Sequence, residues 1–390
     1  MLRLFLLILL TAAQAISSPA ANAQEAKAQT PAPAVRGVWL TNVASDALYS
    51  RENIREAVGL CSELGFNVIF VVTWNDTYTT YPSAHVEAVT GQAIHPDFAG
   101  RDPLQELIEE AHAKGIKVFA WFEFGFSATM NDSTGGIILQ KNPHWASRDQ
   151  QGRITEKNGF QWMNPFHPKV QDFVKGLVLE AVRNYDIDGI QGDDRLPALP
   201  SNGGYDEFTT QLYQSEHSGQ KPPAHYQDYE WVKWRSAKLS LFLAGLVQEV
   251  RAAKPELAIS MAPSIYPWSE ENYLQNWPEW MAMGLVDLII PQVYRYNLEA
   301  YQREMNRILT RQLHPSDRER FVPGVLLQVN DYNPTEELLE GFINYNREHG
   351  IPGEVFFFFE GIKKFKGYFK EKYKDRPAFP AFIKPGLPAH

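Results

Sequence analysis

What most constrains this chain is a unit that recurs along most of its length: a short apolar run, a loop, then an amphipathic helical stretch, often closed by Gly or stopped before Pro. Apolar runs of four to eight residues that alternate with helical patterns indicate βα units and a parallel sheet. The runs are 36-RGVWLTN-42, 66-FNVIFVVTWN-75, 116-IKVFAWFEF-124, 187-IDGIQGDD-194, 257-LAISMAPS-264, 286-VDLIIPQVY-294, 321-FVPGVLLQV-329 and 354-EVFFFFEGI-362. Helical patterns follow them at 51–64, 103–114, 167–184, 228–253, 271–283, 298–312, 335–349 and 363–374. Eight such units in series predict a closed (β/α)8 barrel in a single domain. No Gly-rich phosphate turn follows the first strand, which argues against an open dinucleotide-binding sheet.

Three connections are long, at roughly 76–102, 125–166 and 195–227, after strands two, three and four. Long loops in a compact domain are usually functional, and in this fold they all open at the C-terminal mouth, where active sites are built. The barrel is expected over residues 35–375, with a C-terminal tail at 376–390. Ahead of it, 24-QEAKAQTPAPA-34 reads as a disordered tether. Residues 1–23 carry Arg3, a short apolar run and a small-x-small site at Ala21-Asn22-Ala23, the pattern of a cleaved secretory signal. The single cysteine, Cys61, sits in a helical pattern and is expected to pack as a small apolar side chain. An exported chain without disulfides points to a bacterial periplasm or cell envelope.

Polar groups at the C-terminal strand ends are the candidate chemistry. Side chains alternate faces along a strand, so Gln191 and Asp193 are predicted to point into the barrel, opposite Ile190. Asp194 falls on the Ile190 side unless the strand has already turned. Strand eight offers Glu360, and strand three offers Glu123 in 121-WFEFGF-126. Both glutamates have a structural alternative as ion-pair partners of Arg195, Arg295 or Lys363. Trp39, Trp74, Asn75, Gln292 and Tyr294 complete the set of strand-end groups that could line sugar subsites. Aromatics make up 13% of the chain, enough both for a large core and for flat platforms under sugar rings.

Opposed carboxylates in an aromatic cleft suit glycoside hydrolysis, in which one acid protonates the leaving oxygen and a second carboxylate acts as base or nucleophile. Other chemistries lack their parts. There is no H-x-H at the end of strand one, no G-x-S-x-G and no Walker motif, so no metal or other cofactor is implied. His112 is expected to be structural, and His144 and His167 are possible substrate contacts in the loops. A formal charge of −9 gives no reason to bind nucleic acid or an anionic membrane.

The chain resembles the glycosyl-hydrolase-like 10 family, which includes divisome-localised glycosyl hydrolases. The resemblance covers roughly residues 35–365. It rests on 36-RGVWLTN-42, 66-FNVIF-70, 95-HPDFAGRDPLQELIEEAHAKGIKVFAWF-122, 162-WMNPFHPKVQDFV-174, 188-DGIQGDD-194, 286-VDLIIPQVY-294 and Glu360, in that order. It implies a secreted barrel acting on cell-wall glycan, in some members peptidoglycan stripped of its stem peptides, with possible cell-envelope or division-site partners. The family's D-G-x-Q-x-D-D motif falls on Asp188, Gly189, Gln191, Asp193 and Asp194, and its I-x-P-Q-x-Y motif on Ile289, Pro291, Gln292 and Tyr294. Two departures stand out: 121-WFEFGF-126 replaces the usual W-[FL]-N-P-Y, and Arg195 stands where an aromatic is common. Strand four also ends like α-amylase-type barrels, whose nucleophile occupies the position of Asp193.

The expectation is therefore a secreted glycoside hydrolase acting on a bacterial polysaccharide, most simply peptidoglycan glycan strands. Asp193 would work with Glu360 or Glu123, and Asp194 would orient Asp193 or bind Arg195. The alternatives are a non-catalytic glycan-binding barrel and a glycosidase for capsule or exopolysaccharide amino sugars.

Overall fold

The structure is a computed structural model, and it describes residues 32–373 and 375–381. The expected leader and most of the tether lie outside the described residues. Eight parallel strands form one sheet: β1 Arg36–Leu40, β2 Val68–Val72, β3 Lys117–Trp121, β4 Gly189–Asp193, β5 Ala258–Ala262, β6 Leu288–Ile289, β7 Gly324–Leu326 and β8 Glu354–Phe357. Sequential neighbours pair from β1 to β6, and β8 pairs with both β1 and β7. The remaining seam, between β6 and β7, is closed by single parallel bridges, Ile289 with Phe321 and Gln292 with Gly324. The architecture is the predicted (β/α)8 barrel.

Its main helices are α1 Arg51–Glu63, α2 Pro103–Ala113, α3 Pro168–Asn184, α4 Tyr229–Ala253, α5 Trp277–Ala282, α6 Leu298–Arg307, α7 Glu336–Glu348 and α8 Lys366–Lys372. The helix expected at 271–283 is two short ones, Trp268–Tyr273 and α5, because Leu274 turns left-handed at φ 61°. Strand eight stops at Phe357, and residues Phe359–Lys364 are already helical. Cys61 is fully buried in α1, and that burial pushes its thiol up to about 12. No described helix is long and apolar enough to cross a membrane.

Large rings fill the barrel interior: Trp39 packs on Phe70 at 5.9 Å and Phe70 on Phe119 at 5.0 Å between centroids. Gly189 faces this row because a Cβ there would collide with the Phe119 ring. The packed region runs past residue 375. The Phe379 ring lies tilted 5.9 Å from that of Phe119, Ala34 N–H donates to Ala378 O at 3.1 Å, and Asn67 donates to Pro377 O at 3.1 Å. Residues 34 and 377–379, at the edges of the expected tether and tail, thus pack against the barrel.

The N-terminal rim explains a second set of acids. Asp188, just before β4, accepts from Val118 N–H at 2.8 Å and lies 2.8 Å from His112 Nε2. Asp287, before β6, accepts from Ile259 N–H at 2.8 Å. Glu354, opening β8, takes two 2.8 Å bonds from Arg347. Each carboxylate ties its strand to a neighbouring strand or to the preceding helix, the stabilising role expected at this end of the fold. His112 is structural, as its helical position suggested.

Candidate active site

The C-terminal ends of β3 and β4 meet at Arg195. Asp193 is the last residue of β4, and the chain turns at once, so that Arg195 N–H donates to Asp193 Oδ1 at 2.9 Å. The guanidinium then folds back over three acids. Its Nη2 lies 3.1 Å from Asp193 Oδ2 and 3.3 Å from Glu123 Oε1, and its Nη1 lies 3.0 Å from Asp194 Oδ1. Its Nε donates to Glu123 O at 2.7 Å. Gly125 lets the two corners approach: it is left-handed at φ +48°, and a side chain there would run into the Arg195 carbonyl. Gln275 secures the corner from below, donating to Asp193 O at 2.8 Å.

Asp193 is 2% exposed and accepts a further bond from Trp121 Nε1 at 3.1 Å. Asn75 Nδ2 donates to Glu123 Oε2 at 2.5 Å. Burial pushes Asp193 well above the usual carboxylate range. Arg195 pulls it back, and the charges of Asp194 and Glu123 push it up again. Burial also raises Glu123, against the pull of Arg195 and the Asn75 hydrogen bond. Burial opposes the charge on Arg195, yet the carboxylates outweigh it and hold its pKa above the ordinary value. Two buried carboxyls with raised pKa values around one cation make a unit that retains a proton more readily than free acids do.

These groups line a cleft of ≈ 170 Å³ with Trp39, Trp121, Phe160, Ala262, Gln292, Tyr294 and Phe357. Trp39 forms part of its floor, Gln292 is held by a 3.0 Å bond to Ala262 O, and Tyr294 packs 5.5 Å from Phe357. Burial, then the charge of Asp194, pushes the Tyr294 phenol upward, so it stays protonated as a donor.

Four expected site residues are placed differently. Gln191 does point inward, but it is fully buried beneath the cleft, accepting from Trp39 Nε1 at 2.6 Å and donating to Ser260 Oγ at 2.9 Å. Trp74 is fully buried on the other side of the sheet, edge-on to Phe173 of α3, with its indole N–H on Gly125 O at 3.2 Å. Asn75 stands behind Glu123 rather than in the cleft lining. Glu360 lies in the helix Phe359–Lys364, not on a strand. It takes a 2.7 Å bond from Ser45 and a 2.7 Å ion pair from Lys363, apart from the cleft. The third-strand glutamate, Glu123, is the one that the fold brings to Asp193. His144 and His167 line a separate ≈ 430 Å³ cavity with Arg148, Asp206 and Glu207, and His167 Nδ1 caps α3.

Sequence reasoning expected a long functional loop after β3 but missed its internal structure. It folds into a three-stranded antiparallel sheet of Ser127–Met130, Glu156–Lys157 and Phe160–Trp162. Its tip sets Phe160 with its ring 4.7 Å from the Arg195 guanidinium. The signal was present in 157-KNGF-160. Asn-Gly between apolar or long side chains favours a two-residue hairpin turn, and Asn158 and Gly159 are left-handed at φ 56° and 84°.

The match to the glycosyl hydrolase-like 10 family model spans residues 34–322. Among curated relatives, glycosyl hydrolase DigH of Escherichia coli K12 is 24% identical, covering 72% of this chain and 70% of DigH. Glycosyl hydrolase YngK of Bacillus subtilis is 26% identical, covering 76% of this chain and 61% of YngK. Among solved structures, the PgaB (BpsB) glycoside hydrolase domain of Bordetella bronchiseptica superposes with TM-score 0.66 at 16% identity, over 89% of this chain and all of that one. The catalytic domain of a Paenibacillus polymyxa beta-amylase gives TM-score 0.59 at 9% identity, over 88% of this chain and all of that one. These structural likenesses concern the fold. Barrel, motif order and family match agree: the chain belongs to the glycosyl hydrolase-like 10 family.

Proposed function

We propose that this protein is a glycoside hydrolase of the bacterial cell envelope that cleaves peptidoglycan glycan strands with Asp193 and Glu123 as its working carboxylates. The observation that carries the reading is that Arg195 Nη2 contacts both acids, at 3.1 and 3.3 Å. Their nearest oxygens can be no farther apart than those two contacts laid end to end. That bound lies above the separation of about 5–5.5 Å of a retaining pair and just under the about 6.5–9.5 Å of an inverting one, so the retaining route is part of the proposal, and the anomeric configuration of the product tests it.

Burial disfavours the Asp193 anion, but three donors from Arg195 and Trp121 are fixed on its carboxylate, and on that ground Asp193 is assigned as nucleophile. Glu123, whose side chain is 17% exposed against 3% for Asp193, carries the proton. In the first step Asp193 attacks the anomeric carbon, the glycosidic C–O bond breaks and the Glu123 proton passes to the leaving oxygen. In the second, Glu123 takes a proton from water, the water oxygen joins the anomeric carbon and Asp193 is released. Export rests on the leader pattern of residues 1–23.

The experiment is incubation of the purified protein with peptide-free peptidoglycan strands and with amino-sugar exopolysaccharides, followed by product analysis. Shortened muropeptide-free oligosaccharides from the first substrate, absent with Asp193→Asn, are expected. Cleavage of the exopolysaccharide alone would move the substrate. A second reading, a glycan-binding barrel without turnover, is favoured by the ion pairs that Arg195 makes with all three acids. Binding without any products from the wild type would establish it.

A further inference from the structure

The same loop that delivers Phe160 to the cleft also delivers a cation. Lys157 and Phe160 are cross-strand partners on either side of the Asn158-Gly159 turn. Directly opposed residues in an antiparallel pair project to one face, so Lys157 stands beside the ring that covers Arg195. Its ammonium is 4.6 Å from the Tyr273 ring centroid and 5.7 Å from that of Trp268. It donates to Asn272 O at 3.1 Å and to Asn272 Oδ1 at 3.0 Å. These partners are neutral: among the described residues no carboxylate forms an ion pair with Lys157. Burial lowers its pKa to about 8. Trp268 is 42% exposed, a large flat ring open to solvent beside this cation. Lys157 and Asn272 also line a ≈ 420 Å³ cavity with Arg153, Asn202, Tyr226 and Gln227, in which Asp149 is already paired to Arg153.

A half-buried ammonium without a counter-ion is costly to maintain for stability alone, since burial penalises the charged form. Two aromatic faces and two amide-type oxygens hold it in place while leaving a charge to be satisfied. We propose that Lys157 is a specificity-determining residue that reads a carboxylate on the glycan, with Trp268 as the platform for the sugar that bears it. This rests on the glycan reading above and narrows it to an acidic strand. A peptide-free peptidoglycan strand carries such a group on the lactyl ether of every muramoyl residue. A uronic acid carries it on the ring itself.

The test measures binding by calorimetry in an Asp193→Asn background, and turnover in the otherwise wild-type protein. The probes are peptide-free peptidoglycan strands, the same strands with the carboxyls reduced to alcohols, and hyaluronan as a ring-borne carboxylate. Lys157→Met is expected to weaken binding of the carboxylate strands roughly tenfold or more, the scale of one lost charge-assisted hydrogen bond, and to leave the reduced strands within about twofold. Lys157→Arg should restore most of the loss. Preference for hyaluronan over the lactyl strands would assign the carboxylate to the ring and keep the role of Lys157. An equal loss on charged and reduced strands, or equal binding of both by the unsubstituted protein, overturns the proposal while hydrolysis stands. Carboxylate-dependent binding with no cleavage would sink the hydrolase reading and leave this one intact. Binding of no probe would overturn both.

Discussion

Asn75 donates its amide hydrogen to Glu123 Oε2 at 2.5 Å, and so fixes the orientation of an acid from a different strand end. Asn75 follows Trp74, whose ring is buried against α3, so the amide is anchored by core packing one residue away. In Asn75→Ala the Glu123 anion loses a donor, and its pKa rises. The alkaline limb of kcat/KM against pH is expected to move to higher pH while the acidic limb stays. The loosened geometry should lower kcat by up to about 10²-fold with little change in KM. Steady-state kinetics across pH check both.

The three candidate acids are expected to separate cleanly on substitution. Asp193→Asn and Glu123→Gln should each lose activity by on the order of 10²–10⁴-fold, with glycan binding retained. Glu360→Gln should stay within about twofold of wild type, because its carboxylate serves Ser45 and Lys363 away from the cleft. Its stability cost should be under about 1 kcal/mol, as for other peripheral ion pairs. Turnover of peptide-free strands and a urea titration measure these. A dead Glu360→Gln enzyme with an active Glu123→Gln would reverse the assignment.

On the proposed mechanism, Arg195 tunes the pH at which the pair works. It favours the ionised form of both Asp193 and Glu123, so its removal raises both pKa values further. The acidic limb follows the nucleophile and the alkaline limb the proton donor. Arg195→Met should therefore carry the whole bell-shaped profile toward alkaline pH, and Arg195→Lys should carry it part of the way. The profile of kcat/KM against pH is the readout, and an unmoved profile would mean that the cation does not face the reacting groups.

Trp74 and Trp268 give opposite expectations for similar side chains. Trp74 is fully buried, so Trp74→Ala should destabilise the fold by about 3–5 kcal/mol through lost contacts and a cavity. Trp268 is 42% exposed, and Trp268→Ala should change stability by only a few tenths of a kcal/mol, within about 0.5, while weakening glycan binding. Urea denaturation and calorimetry distinguish them.

The barrel was legible from the chain because the alternation of apolar runs and helical patterns is a local property, repeated often enough to leave one closed arrangement. Asp193 was legible for the same reason: residue parity along β4 puts it inward at the mouth. Parity did not say how deep a residue sits. Gln191 shares the face of Asp193 yet lies below the cleft, sealed by Trp39 and Ser260. Nor did the pattern locate where strands end. β8 stops at Phe357, so Glu360 rides a helix instead of completing the bowl. The choice of Glu123 as partner, the span of Arg195 across three acids, and the arrival of Phe160 and Lys157 from a loop more than thirty residues along all depend on separations in space between residues distant in sequence. Local propensity fixes strands and turns, including the Asn158-Gly159 hairpin. Closure of the barrel alone decides which side chains share a cleft, and with it the burial that shifts their protons.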